Sequence, residues 1–133
     1  MTDTPPLRQP CPPGLCDCQQ QALRNAPGAD QRVLRLTERE EKILVQRLEQ
    51  LRDLDDLYYM LGRLEQQLGI RLQIEAPAGE VRTVRGLVFE FAPQQGLCRK
   101  TRKALPAALR RALAAQPHIL YALLDSHGLF GNR

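Results

Sequence analysis

The sequence predicts an α+β fold: a long amphipathic helix that either bends or breaks, a β-hairpin and two short C-terminal helices, behind a Pro/Cys-rich irregular arm. Three observations carry this. Leucines recur at helical spacing from Leu44 to Leu68 between two capping signals, apolar and polar residues alternate from Ile70, and two apolar runs near the C-terminus each hold a proline where a helix can start.

Residues 1–30 show no period. Pro5, Pro6, Pro10, Pro12, Pro13 and Pro27 lack a backbone N–H and disfavour a regular element. The expectation is a flexible Pro/Cys-rich arm over 1–30, ordered only by a metal or by docking, followed by a single small domain over 31–133.

Thr37-Glu-Arg-Glu40 reads as a capping box that opens the helix, and Gly69 suits its end. Leu36 is placed to act as a hydrophobic staple, but Glu41 is the wrong residue for the other half. The leucines fall at 44, 48, 51, 54, 57, 61, 64 and 68. At about 100° per residue, Leu44, Leu48 and Leu51 share one face, while Leu57, Leu61, Leu64 and Leu68 share another roughly 120° away. The change falls at Arg52-Asp-Leu-Asp-Asp56, so the helix either turns two faces to two neighbours or breaks there, with Asp53 or Asp55 capping a second helix.

Ile70–Glu75 alternates as a half-buried strand, Ala76–Gly79 reads as a turn, and Val81–Phe91 as a second strand. Val84 lies out of phase with Leu87, Phe89 and Phe91, which suggests a bulge at Gly86. Pro106 suits the first turn of a helix running to about Ala115, and Pro117 opens another ended by Gly128.

The chain has 133 residues, 43% hydrophobic and 26% charged, with 5% aromatics and no Trp, so the core must be aliphatic. One domain fits this length. No apolar run is long enough for a membrane helix, no secretory signal is visible, and a cytoplasmic location with no membrane partner is expected. Arg outnumbers Lys by 16 to 3. Codon bias in a GC-rich, bacterial-type genome accounts for that, as does a preference for bidentate anion contacts. The net charge of +4 is concentrated at the end of the chain: residues 37–69 carry −3 and residues 99–133 carry +6.

Cys11-Pro-Pro-Gly-Leu-Cys16-Asp-Cys18, with Cys98 as a fourth thiol, is the most unusual local feature. Four thiolates would close a tetrahedral zinc site, and Gly14 would let the loop fold around the ion. The spacing departs from the paired cysteines of common zinc sites. An Fe–S cluster, Cu(I), a thiol–disulfide switch (Cys16 and Cys18 as a redox pair) and idle thiols are the alternatives.

Arg99, Lys100, Arg102, Lys103, Arg110 and Arg111 form an acid-free basic segment that can neutralise phosphates of a nucleic acid or meet an acidic protein. The competing reading is a solvated basic loop. The helix after it is too apolar to read base edges. His118 or His127 could complete a Cys3His site, but capping or surface roles are the ordinary ones. Asp125-Ser126-His127 cannot act as a triad, because neighbouring helical residues point about 100° apart. Asp53, Asp55 and Asp56 lack the calcium-loop pattern, and capping or solvation suits them better. Of Tyr58 and Tyr59, one is expected in the core and one on the surface. No phosphate loop, dinucleotide fingerprint or nucleophile elbow is present, and nothing supports an enzyme. The sequence therefore points to a small metal-binding interaction or regulatory protein that touches nucleic acid through its basic segment. A homodimeric adaptor using the leucine face of 54–68, and a thiol redox protein, stand as alternatives.

Overall fold

The structure, a computed structural model, describes residues 7–12, 14–75 and 86–126. Among these the chain forms α1 (Gln20–Arg24), a 3-10 turn (Arg32–Arg35), α2 (Glu38–Leu48), α3 (Leu54–Leu68), β1 (Leu72–Glu75), β2 (Val88–Phe91), α4 (Arg99–Ala115) and α5 (Pro117–Ser126). The fold is α+β, with five helices and one two-stranded antiparallel sheet.

The helix expected over 37–68 is two helices. Thr37 Oγ1 accepts from the Glu40 N–H and caps α2. The reciprocal half of the capping box is absent, because the Thr37 N–H donates to the Arg35 carbonyl instead. The chain leaves helical geometry after Leu48 and restarts at Asp53, whose side chain accepts from the Asp56 N–H at 2.8 Å. Gly69 closes α3 with φ +69°. The phase slip in the leucine series thus marks a break.

Asp56 holds the joint. Its buried carboxylate takes Arg47 Nη1 at 3.1 Å and the Arg52 N–H at 3.1 Å, with Arg47 Nη2 on its other oxygen. The two leucine faces go into the interior: Leu48, Leu51 and Leu57 pack with α4 and α5, and Leu64 packs with Leu23, Val33, Leu34, Leu36, Ile70 and Leu97. Leu54, Leu61 and Leu68 are half-buried. Leu36 is buried in this second cluster without pairing to Glu41 as a staple.

β1 and β2 pair in the register Leu72↔Phe91, Gln73↔Glu90, Ile74↔Phe89 and Glu75↔Val88. Leu72 and Ile74 face the core and their neighbours face water, as the alternation requires. The described second strand is shorter than expected, beginning at Val88. The turn at 76–79 and the out-of-phase Val84 lie outside the described residues, as do His127 and Gly128.

The C-terminal part differs from expectation in one respect that matters for the site. α4 begins at Arg99, so Pro106 lies inside it and the basic residues are helical. They do not form a loop. Pro106 supplies no N–H to the turn before it, yet it is buried within α4. The buried residues Thr101, Leu105, Ala108, Leu109, Ala112 and Leu113 define one face of α4, and the basic side chains project from the rest. Both Tyr58 and Tyr59 are exposed, at 44% and 54%, so neither is the core residue expected.

Candidate metal centre

The four cysteines converge. Their sulfurs all lie within 4.8 Å of one another, with Cys11 Sγ 3.5 Å from Cys98 Sγ and 3.8 Å from Cys18 Sγ. Cys18 and Cys98 are buried, whereas Cys11 and Cys16 are half-buried. All four thiols are free.

The local backbone explains how so irregular a spacing closes on one point. Gly14 takes φ +81° between Cys11 and Cys16, and the Leu15 N–H returns to the Pro12 carbonyl. This turn folds the first two cysteines toward each other. Gln19 adopts φ +57°, a left-handed conformation that a residue with a side chain takes at a cost of about 1 kcal/mol or more. It swings the chain away after Cys18 and into α1. Gly96, at φ +88°, donates its N–H to the Cys18 carbonyl at 2.5 Å. A Cβ there would meet Leu23 Cδ2 at 2.5 Å and Val33 Cγ1 at 2.8 Å, so glycine is required for this approach. That contact brings the loop before α4 against the arm and sets Cys98 beside Cys11.

Cys98 is the residue preceding the first turn of α4, where unpaired N–H groups and the helix dipole favour negative charge. The Arg99 N–H donates to Cys16 Sγ at 3.3 Å, and Gln20 Nε2 donates to Cys98 Sγ at 3.1 Å. These are the kind of second-layer contacts that orient and stabilise thiolate ligands. Burial raises the Cys16 thiol, but the N–H groups of Arg99 and Cys18 outweigh it and bring its pKa to about 7. Burial, reinforced by the neighbouring sulfurs, raises Cys11, and burial raises Cys18. Four sulfurs this close cannot all ionise unaided, because each thiolate repels the next. A bound cation removes that repulsion.

Beneath the sulfurs lies a buried polar network that the sequence did not announce. Arg8, 5% exposed, donates through Nη1 to the Leu36 carbonyl at 2.8 Å and to Glu41 Oε1 at 3.2 Å. Thr101 Oγ1 donates to the same Glu41 oxygen. Burial lowers the Arg8 pKa, but the charges and hydrogen bonds of Cys98 and Glu41 more than reverse this and leave it raised. The Arg8 N–H donates to the Leu34 carbonyl, and the Arg8 carbonyl accepts from Arg24 Nη2. The arm is thereby tied to α1, the 3-10 turn, α2 and α4 through the backbone and side chain of Arg8 and through Glu41. The only sequence signal was Glu41, an acid where an apolar staple residue was expected.

The six basic residues fare differently from one another. Arg102 pairs with Asp17, which lies between Cys16 and Cys18, and Arg111 pairs with Glu49. Arg110 lies over the Phe89 ring at 4.6 Å. Arg99, Lys100 and Lys103 are exposed and form no ion pair among the described residues. His118 does not join the cysteines; its Nε2 contacts the Arg52 carbonyl at 3.0 Å. Asp53 and Asp56 serve the α2–α3 joint, as a cap and as an ion-paired anchor.

The arrangement can therefore do one distinctive thing chemically: Cys11, Cys16, Cys18 and Cys98 together could hold a metal ion. No helix among the described residues is long and apolar enough to cross a membrane. Comparison with protein-family models, with curated proteins and with solved structures gives no match.

Proposed function

We propose that the chain is a small zinc-binding protein of the interaction or regulatory kind, in which a tetrathiolate ion pins the N-terminal arm to the start of α4. The observation that carries this reading is the convergence of four sulfurs, two of them from cysteines 87 residues apart, within 4.8 Å. Zinc–sulfur bonds of about 2.3 Å in a tetrahedron place the sulfurs about 3.8 Å apart. The separations of 3.5 and 3.8 Å lie close to that value. An Fe–S cluster interposes several irons and sulfides and spreads its four thiolates farther apart. Cu(I) is satisfied by fewer thiolates and leaves part of this set without a role. A Cys16–Cys18 redox pair explains neither Cys11 nor Cys98. All four ligand positions are filled by protein, so the centre is of the structural type, with no open position for a reacting water.

Titration of the reduced protein with Co(II) tests the reading. A tetrathiolate site gives intense tetrahedral d–d bands at one equivalent, and zinc then abolishes them. Weak octahedral bands, or saturation above one equivalent, contradict it.

The nucleic-acid or acidic-protein contact rests on Arg99, Lys100 and Lys103, the three cations of the segment that have neither an acidic partner nor an aromatic ring among the described residues. Three phosphate contacts give a slope of log K against log salt no steeper than about −3. A markedly steeper slope with duplex DNA requires other cations, and a flat one removes the contact.

A further inference from the structure

A cleft of about 470 Å³ opens beside the sulfur cluster. Its wall includes Cys11, Cys16 and Cys98, so three of the four sulfur-bearing residues border it and only Cys18 is shut away. Its charged lining is mostly cationic, with Arg8, Arg99, Lys100 and Lys103 against the single acid Glu38, and Gln9, Pro10, Pro12 and Leu15 supply the uncharged remainder. Arg8 is balanced by Glu41, which leaves three cations and one acid facing the opening. A purely structural zinc site needs no such access. Its ion is ordinarily closed off by its own ligand loops and the core.

The charge balance says what can enter. A divalent ion held by four thiolates carries a formal charge of −2. Arg99, Lys100 and Lys103 exceed Glu38 by two charges, which cancels that amount. An anionic ligand, otherwise repelled by the centre, meets no net barrier on approach. A volume of 470 Å³ suits a small molecule and is too small for a folded domain.

We propose that this cleft is the exchange port of the metal centre, through which zinc is taken from and surrendered to a small polycarboxylate chelate. The proposal rests on the zinc reading above. Surrender proceeds by ligand substitution. A carboxylate or amine donor of the entering molecule binds the ion as the Zn–S bond to half-buried Cys16 breaks. The freed thiolate remains under the Arg99 N–H. Cys11, Cys98 and Cys18 follow, each replaced by a donor of the chelator. Thiolates that cannot remain ionised side by side take protons from water, the chelator's acidic groups release theirs to water as they ligate, and zinc stays divalent throughout. Loading is the reverse.

The test compares two chelators of opposite character on the zinc-loaded full chain: EDTA, which is anionic, and a neutral tetrapyridyl diamine. Zinc content is first fixed by native mass spectrometry, so that a chain without zinc counts against the metal reading and not against the port. Release is then timed for the wild type, Lys100→Glu/Lys103→Glu and Arg110→Glu. Arg110 lies on the same helix but does not line the cleft. The port predicts that Lys100→Glu/Lys103→Glu slows EDTA by about tenfold at low salt, with the difference shrinking as salt is added. The neutral chelator is not slowed, and Arg110→Glu matches the wild type with both. If Lys100 and Lys103 serve only as countercharge to the thiolates, the double variant yields zinc to both chelators at least as fast as the wild type. That outcome overturns the proposal. The gentler Lys100→Gln/Lys103→Gln pair, expected to show the same ordering with a smaller effect, carries the test should the double reversal misfold.

Discussion

Arg8 is the residue on which the arm turns. A guanidinium buried this fully is tolerable only because Glu41, the Leu36 carbonyl and the Cys98 sulfur share its charge and donors. Removing one member of a buried pair strands the other. Arg8→Met is therefore expected to destabilise the chain by about 3 kcal/mol in urea unfolding at fixed zinc. Arg8→Met/Glu41→Leu is expected to recover most of that loss, because it removes both charges together. Equal losses in the single and double variants would mean that the pair itself matters little. None of this could be read from the sequence. Arg8 sits among prolines with no periodicity, and a partner 33 positions away leaves no local trace. The cysteines were legible because thiols are rare and were clustered. Cys98 could be named as the fourth thiol for the same reason, but the geometry that closes the set could not, since it depends on the backbone contact between Gly96 and Cys18.

At the scale of elements, periodicity and caps carried most of the information. The leucine phase slip located the α2–α3 break, and Asp53 supplied the cap that restarts the helix. Pro106 misled because a proline is most readily admitted at a helix start, yet here it lies buried inside α4, where it costs one backbone hydrogen bond. The joint itself has a pH signature. Hydrogen bonds from Arg47, then the Arg52 N–H, hold the Asp56 carboxyl below the usual carboxylate range despite its burial. The unfolded chain thus binds a proton more readily than the native one. The contribution is fully present above about pH 4 and is lost as pH falls through the lower native value. Asp56→Asn is expected to cost about 2 kcal/mol at neutral pH and to flatten that acid limb. Paired urea titrations at pH 7 and pH 3 measure both. An unchanged acid limb in the variant would assign it to other carboxylates.

For the whole molecule, the consequence of the metal reading is linkage. On that reading zinc would join the arm and α4, segments also connected by Arg8, the Arg102–Asp17 pair, the Gln20–Cys98 and Arg99–Cys16 hydrogen bonds and the Gly96–Cys18 contact. An ion that binds only the folded arrangement adds stability that grows with the logarithm of its free concentration, about 2.7 kcal/mol at a hundredfold excess over Kd. Chelation should lower the unfolding midpoint under reducing conditions, and thermal melts with and without chelator read it. Because ligation requires thiolates, binding releases protons, and the shift should shrink as pH falls below neutrality. A shift that grows on acidification contradicts thiolate ligation.

Native mass spectrometry of the chain purified with zinc under reducing conditions, with and without prior chelation, tests the central claim most directly. The account predicts one zinc per chain, lost on chelation and absent from a variant with Cys11, Cys16, Cys18 and Cys98 all changed to Ser. A metal-free chain, or zinc retained by that variant, would contradict it.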